Sequence, residues 1–409
     1  MANEYPVPTE PIPILEPLPD TRRARRAARA VGAAAIGELG GFGIMPEVET
    51  RYAQEGEDMR ARVIDQDPAI DAIIGALDRL DVRTADDTKP IATYAFLGPT
   101  GVGKTETAKA LAEVMGNVSG AKMIRIDCSD FSRGHEISKL TGSPPGYVSR
   151  EQKPLLNKKD VEPFGTVILF DEIEKGSPEL YNLLLQITSD GRLHLNNGET
   201  VSFRDAFVVF TSNLGAKQMM EQLSGKGVGF APVQPVHERQ RLASTAVDQF
   251  DQFFTPEFVN RITKKIVFHP LTPDGLGRVL DSKIAQRNTE YESKRGIHIT
   301  LSAGAREYLV SLAAAKPGMG ARPLMTHIEE LLETPLGRQL ANGAAVPGTE
   351  IKVFTRHEHP RFHHVPGDAA LVFTSRFNAE LRAKQIPPAS LALVPVSKPD
   401  PAALPDTAS

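Results

Sequence analysis

One octapeptide constrains this chain more than any other feature: Gly98-Pro-Thr-Gly-Val-Gly-Lys-Thr105. Residues 91–97 ahead of it form an apolar run that reads as a buried strand, and residues 106–115 behind it have helical periodicity. Strand, glycine loop and helix in that order give the G-x-x-x-x-G-K-[ST] pattern the context of a phosphate-binding loop. Gly98, Gly101 and Gly103, with Pro99, Thr100 and Val102 between them, let the backbone curl until its N–H groups converge. The helix N-terminus adds partial positive charge at the same spot. Lys104 brings a full charge to the terminal phosphates of a nucleotide, and the Thr105 hydroxyl is placed to ligate Mg²⁺.

Three more apolar stretches, 121–127, 165–170 and 206–210, read as strands. Alternating with helical segments, they predict an α/β fold with a parallel sheet between helices. Ligands of such sheets sit at the carboxyl ends of the strands. The glycine loop, Asp171-Glu172 and Thr211-Ser-Asn213 each follow a strand directly, so all three are expected at one edge. Two adjacent carboxylates there are costly unless they meet a cation. Asp171 is expected to orient Mg²⁺, directly or through water, and Glu172 to polarise an attacking water as general base. Asn213 has the chemistry to hold that water or a γ-phosphate oxygen; it is equally the kind of residue that forms a turn before Gly215.

The 409 residues leave room for two or three domains. The expected division is a disordered, partly basic arm and linker over 1–58, a large sheet-based domain over 59–268, a smaller, mostly helical domain over 269–376, and a Pro/Ala-rich tail over 377–409. The segment 62–70 is expected to lead into a helix through about Leu80. Helical periodicity returns at 275–294, 303–315 and 323–341, and 351–354 pairs with 370–373 as a terminal hairpin. Prolines over 1–20 disfavour helix, and Arg22, Arg23, Arg25, Arg26 and Arg29 follow as either a solvated leader or a docking arm. The net charge of −4 argues against a nucleic-acid binder held by bulk charge. The single cysteine, Cys128, excludes an intramolecular disulfide and fits a reducing compartment; a cytoplasmic location is expected. Nothing approaches about eighteen consecutive apolar residues, so no membrane span is expected.

Taken together, Gly98–Thr105, Leu169-Phe-Asp-Glu-Ile-Glu-Lys175, Thr211-Ser-Asn-Leu-Gly215, Pro256-Glu-Phe-Val-Asn-Arg-Ile262 and Gly320-Ala-Arg-Pro-Leu324 come in the order of the Clp-type AAA+ unfoldases. The resemblance covers roughly residues 60–375 and is to the second ATPase module of ClpA, ClpB and ClpC. It implies an AAA+ phosphate-loop domain with a helical lid, ATP and Mg²⁺ as cofactors, and a homohexameric ring. In that resemblance Arg261 is the arginine finger reaching a neighbouring subunit's nucleotide, and Arg322 is the lid arginine contacting its own. Val63, Ile64 and Gln66 lie beside the adenine. Tyr147, in Thr141-Gly-Ser-Pro-Pro-Gly-Tyr-Val148, resembles the pore tyrosine that grips unfolded or tagged protein substrates. Val228-Gly229-Phe230 resembles the loop that docks a ClpP-like peptidase. The implied activity is ATP-driven unfolding with delivery to such a protease. A protease-independent remodeller or disaggregase and a nucleotide-gated assembly factor stand as alternatives.

Several positions depart from the family pattern. Asp65 stands where Gly is usual, which threatens nucleotide affinity because Asp enters left-handed backbone less readily. Thr255 and Thr263 replace an arginine and an acid beside the finger motif. Ser149-Arg-Glu-Gln-Lys-Pro154 makes the expected pore entrance more basic. Only one ATPase module is recognised. His357, His359, His363 and His364 read as a solvated hairpin loop rather than a metal site.

Overall fold

The computed structural model describes residues 52–84, 87–142, 153–223, 235–341, 348–358 and 371–377. Among the described residues two helices come first, α1 (Ala53–Arg62) and α2 (Asp67–Asp78). Tyr52, Gly56, Met59 and Val63 recur every three or four residues and bury one face of α1. This helix reaches into the stretch assigned by sequence to the 1–58 arm, because its apolar face is hidden among polar neighbours. The helix expected up to about Leu80 is α2, and a turn at 63–66, where Asp65 has φ 62°, separates it from α1.

The large domain continues with β1 (Ala92–Leu97), α3 (Lys104–Ser119), β2 (Met123–Asp127), β3 (Thr166–Asp171) and α4 (Pro178–Asp190). A hairpin of β4 (Arg192–His194) and β5 (Thr200–Ser202) follows, then β6 (Ala206–Ser212), α5 (Ala216–Leu223), α6 (Pro235–Phe253) and β7 (Lys264–Val267). Five strands form one parallel sheet in the order β2-β3-β6-β1-β7. Side chains alternate between its faces. Leu97, Phe170 and Phe210 point to a core shared with α4 and α6, whereas Phe96, Leu169 and Val209 point to one shared with α2 and α3. Burial on both faces makes the inner strands β1, β3 and β6 largely apolar along their length, as befits parallel pairing. Truncating a residue such as Phe210 to alanine would cost about 3–5 kcal/mol.

The lid begins at α7 (Pro273–Arg295), whose N-cap Thr272 accepts the Gly275 N–H at 3.0 Å and which stops at Gly296, φ 64°. After it come β8 (Ile297–Leu301), α8 (Ala303–Ala314), α9 (Arg322–Ile328), a π-turn at Glu329–Glu333, α10 (Thr334–Ala341), β9 (Thr349–Thr355) and β10 (Leu371–Phe377). The antiparallel pairing of β9 with β10 matches the expected hairpin, and β8 adds a parallel third strand on β9. Leu280, Leu309, Leu324, Val353 and Phe373 belong to a core of the lid's own. On the outer side of β8, Asn288 of α7 accepts the Ile299 N–H and donates to the Ile299 carbonyl, both at 2.8 Å. No helix among the described residues is long and apolar enough to cross a membrane.

Candidate nucleotide site

The β1–α3 junction adopts the curl that its glycines permit. Gly98, Gly101 and Gly103 have φ of 138°, 75° and 108°. The ammonium of Lys104, 8% exposed, folds back to donate to the carbonyls of Gly98 and Pro99 (2.9 Å for the latter) and to Asn213 Oδ1 at 2.7 Å. Burial pulls its pKa down to about 8; Glu174, Asp171 and Glu172 oppose that shift and Arg322 adds to it.

The carboxylates sit on the neighbouring strand ends. Asp171 closes β3, and its two oxygens accept from the Thr211 hydroxyl and from Arg125 Nη2 at 2.6 Å. Glu172 follows at φ 55°, one of two non-glycine residues with positive φ among those described. The Thr211 hydroxyl accepts the Glu172 N–H at 3.0 Å, so one side chain of β6 braces both carboxylate positions. Asn213 Nδ2 lies 3.3 Å from Glu172 Oε1, while the Asn213 main-chain N–H donates to Glu174 at 3.0 Å. Lys175 pairs with Glu172 at 2.5 Å.

The lid closes over this edge. Ala321 N–H donates to the Gly101 carbonyl at 2.9 Å, and a Cβ on Gly101 would collide with the Met319 carbonyl. A Cβ on Gly320, φ 55°, would likewise collide with Gly101. Between loop and lid lies a cavity of about 600 Å³, within the usual range for ligand sites. Arg62, Lys104, Lys109, Arg125, Lys283 and Arg322 bring positive charge to its wall. Val63 and Ile64 of the large domain and Leu271 and Val279 on the lid side add apolar lining. Glu106 joins the two sides, taking Arg62 at 2.7 Å and Lys283 at 3.8 Å. Burial works to raise its pKa, but the bond from Arg62 and the charge of Lys283 leave it lowered.

Residues 89–265 match the family described as AAA domain (Cdc48 subfamily), and residues 271–353 match the C-terminal, D2-small domain of ClpB protein. The chain is 37% identical over 295 residues to the ATP-dependent Clp protease ATP-binding subunit ClpC of Staphylococcus epidermidis, covering 72% of this chain and 35% of that protein. The chain belongs to the Clp-type AAA+ ATPases. It is also 35% identical over 295 residues to the chaperone protein ClpB of Nitratidesulfovibrio vulgaris, covering 72% of this chain and 33% of the relative. For the ClpA homolog of Guillardia theta the identity is 38% over 289 residues, covering 71% and 35%. The chain thus spans about a third of the length of the curated relatives it matches.

Against the Clp pattern, the structure brings Gly101, Val102, Gly103, Lys104, Thr105, Thr100, Val63, Ile64, Asp171, Glu172, Asn213 and Arg322 to the wall of one cavity. Gly98 and Pro99 border it through the carbonyls that hold Lys104. Arg261 stands apart. It follows the short helix Pro256–Val259 and does not line the cavity. Tyr147, Val228, Gly229 and Phe230 lie outside the described residues, as do His359, His363, His364 and the stretches 1–51 and 378–409. Sequence reasoning missed Arg125, Glu174, Glu106 and Lys283. Glu174 lies inside a recognised motif and could have been suspected; Arg125 gains meaning only from strand order, and Glu106 and Lys283 only from the lid's position.

Proposed function

We propose that this chain binds ATP with Mg²⁺ and hydrolyses it to unfold and thread protein substrates through a homohexameric ring, handing them to a ClpP-like peptidase. The observation that carries the reading is the convergence of Lys104, Glu172 and Asn213, joined by bonds of 2.7 and 3.3 Å, at the mouth of the glycine loop. Lys104 and the loop N–H groups hold the terminal phosphates. Glu172 is aimed by its left-handed turn and by Thr211, and takes the proton of the attacking water while Asn213 orients it. Thr105 and Asp171 are hard oxygen donors on one cavity wall and would hold Mg²⁺, which when bound neutralises phosphate charge. Arg322 contacts the chain's own nucleotide. Arg261, outside the cavity, is suited to a neighbour's nucleotide, a contribution of roughly 10³–10⁵ in rate when supplied in trans. Tyr147 grips substrate, and Val228-Gly229-Phe230 docks the peptidase.

A protease-independent remodeller or disaggregase is the second reading, favoured by the ClpB match of the lid at 271–353. Unfolding of a tagged reporter, with ATP and with or without ClpP, tests the first. Wild type should unfold the reporter only with hydrolysable ATP, and Tyr147→Ala should not. Absence of ATP turnover in wild type overturns the enzymatic reading. Absence of ClpP association in wild type removes the protease and leaves the remodeller, whereas association that ignores Phe230→Ala removes only the docking role of Val228-Gly229-Phe230.

A further inference from the structure

Asp65 and Glu172 are the two non-glycine residues with positive φ among those described; Glu172 lines the nucleotide cavity and Asp65 directly follows its lining residues Val63 and Ile64. Left-handed backbone costs a residue with a Cβ, so it persists where surrounding contacts hold it. For Asp65 those contacts come from the lid. Its carboxylate pairs with Arg278, one residue before the cavity-lining Val279. It also lies over the first turn of α7, where a Cβ on Gly275 would collide with Oδ2. That position favours a negative charge twice, through the guanidinium and through the helix N-terminus. The next residue ties the same turn to the segment leading into the lid. Gln66, 2% exposed, donates to the His269 carbonyl at 3.1 Å and accepts the His269 N–H at 3.2 Å. Val63 and Ile64 precede this pair of fasteners, Leu271 and Val279 flank their partners, and all four line the cavity.

We propose that Asp65 and Arg278 are positioning residues that latch the lid helix to the base-side wall and so set how fast nucleotide leaves. The proposal rests on the nucleotide reading above. A nucleotide held between two walls departs when they part, and this ion pair spans them beside a turn that Gln66 keeps in register. Asp65 thereby supplies a contact that glycine at this position has no side chain to make.

Release of a fluorescent mant-ADP, followed by stopped flow on the full chain, tests it. Asp65→Asn suits the measurement, since Asn tolerates positive φ and keeps the shape. Asp65→Asn and Arg278→Gln should each speed release roughly two- to fivefold, the range expected for a partly exposed pair. The double variant should be no faster than either single one. Wild-type release should approach theirs as salt is raised. Release that ignores both substitutions, or rates that multiply in the double variant, overturns the latch alone. A wild-type chain that takes up no mant-nucleotide overturns the nucleotide reading and the latch with it.

Discussion

The Glu174 carboxylate accepts the main-chain N–H of Asn213 at 3.0 Å, tying the turn after β3 to the end of β6. That bond aims an amide whose oxygen takes Lys104 at 2.7 Å and whose nitrogen faces Glu172 at 3.3 Å. Glu174→Ala is expected to lower kcat roughly tenfold or more, the scale of one hydrogen bond to a charged group, with little change in KM for ATP. Glu174→Gln keeps an acceptor oxygen and should recover most of the loss. In an Asn213→Ala background, Glu174→Ala should cost nothing further, because the two act as one unit. Steady-state ATPase kinetics on wild type and the four variants provide the check.

Glu172→Gln should separate binding from hydrolysis. The amide keeps the size and the approach of Asn213 Nδ2 to an oxygen, but it accepts no proton. Turnover should fall about 10²–10⁴-fold, the usual worth of a general base, while ATP still binds. Equilibrium binding beside single-turnover hydrolysis shows whether both halves hold.

Lys104 predicts a pH dependence with a definite sign. Its pKa in the folded chain lies at about 8, below its ordinary 10.5, chiefly because it is buried. Below pH 8 the ammonium is charged in both folded and unfolded chains, and its burial cost is fully present. Between 8 and 10.5 the folded chain releases the proton first, so the cost fades and stability gains from rising pH. Lys104→Met should therefore raise the melting temperature of the nucleotide-free protein at pH 7, with a difference that shrinks by pH 10. Triphosphate affinity should move oppositely, weakening as pH climbs through 8 in wild type. Thermal melts and binding isotherms across pH 6.5–10 measure the two trends.

Gly101→Ala and Gly103→Ala should differ although both sites have positive φ. At Gly103 a Cβ meets nothing within 4 Å, so the change carries backbone strain of about 1–3 kcal/mol alone. At Gly101 the Cβ also strikes the lid at Met319, so Gly101→Ala should melt lower than Gly103→Ala. Differential scanning calorimetry of the nucleotide-free variants decides the order.

Much of this site is legible in sequence because its parts are local. The loop from Gly98 to Thr105 and the pair Asp171-Glu172 each lie on one short segment after an apolar strand. Partnerships across the sheet are not legible. Arg125 reaches Asp171 from β2, and Thr211 braces it from β6, contacts set by strand order rather than by spacing. Strand β7 was hidden by its opening Lys264-Lys265, acceptable on an edge strand with half its surface wet. In β8 the alternation Ile297-His-Ile-Thr-Leu301 was readable, but it is short and lies between two helices. Asp65 stood out in sequence as a substitute for glycine; its link to Arg278 did not, since the two are brought together only when the lid folds over.

Asn288 has a consequence beyond the lid's own stability. By answering both main-chain groups of Ile299 at 2.8 Å, it fills a place on β8 that an incoming strand would need. Open sheet edges invite wrong partners wherever copies of a chain meet. One amide on α7 thus makes β8 a poor template for stray pairing, and leaves any strand that joins this sheet to do so along β10.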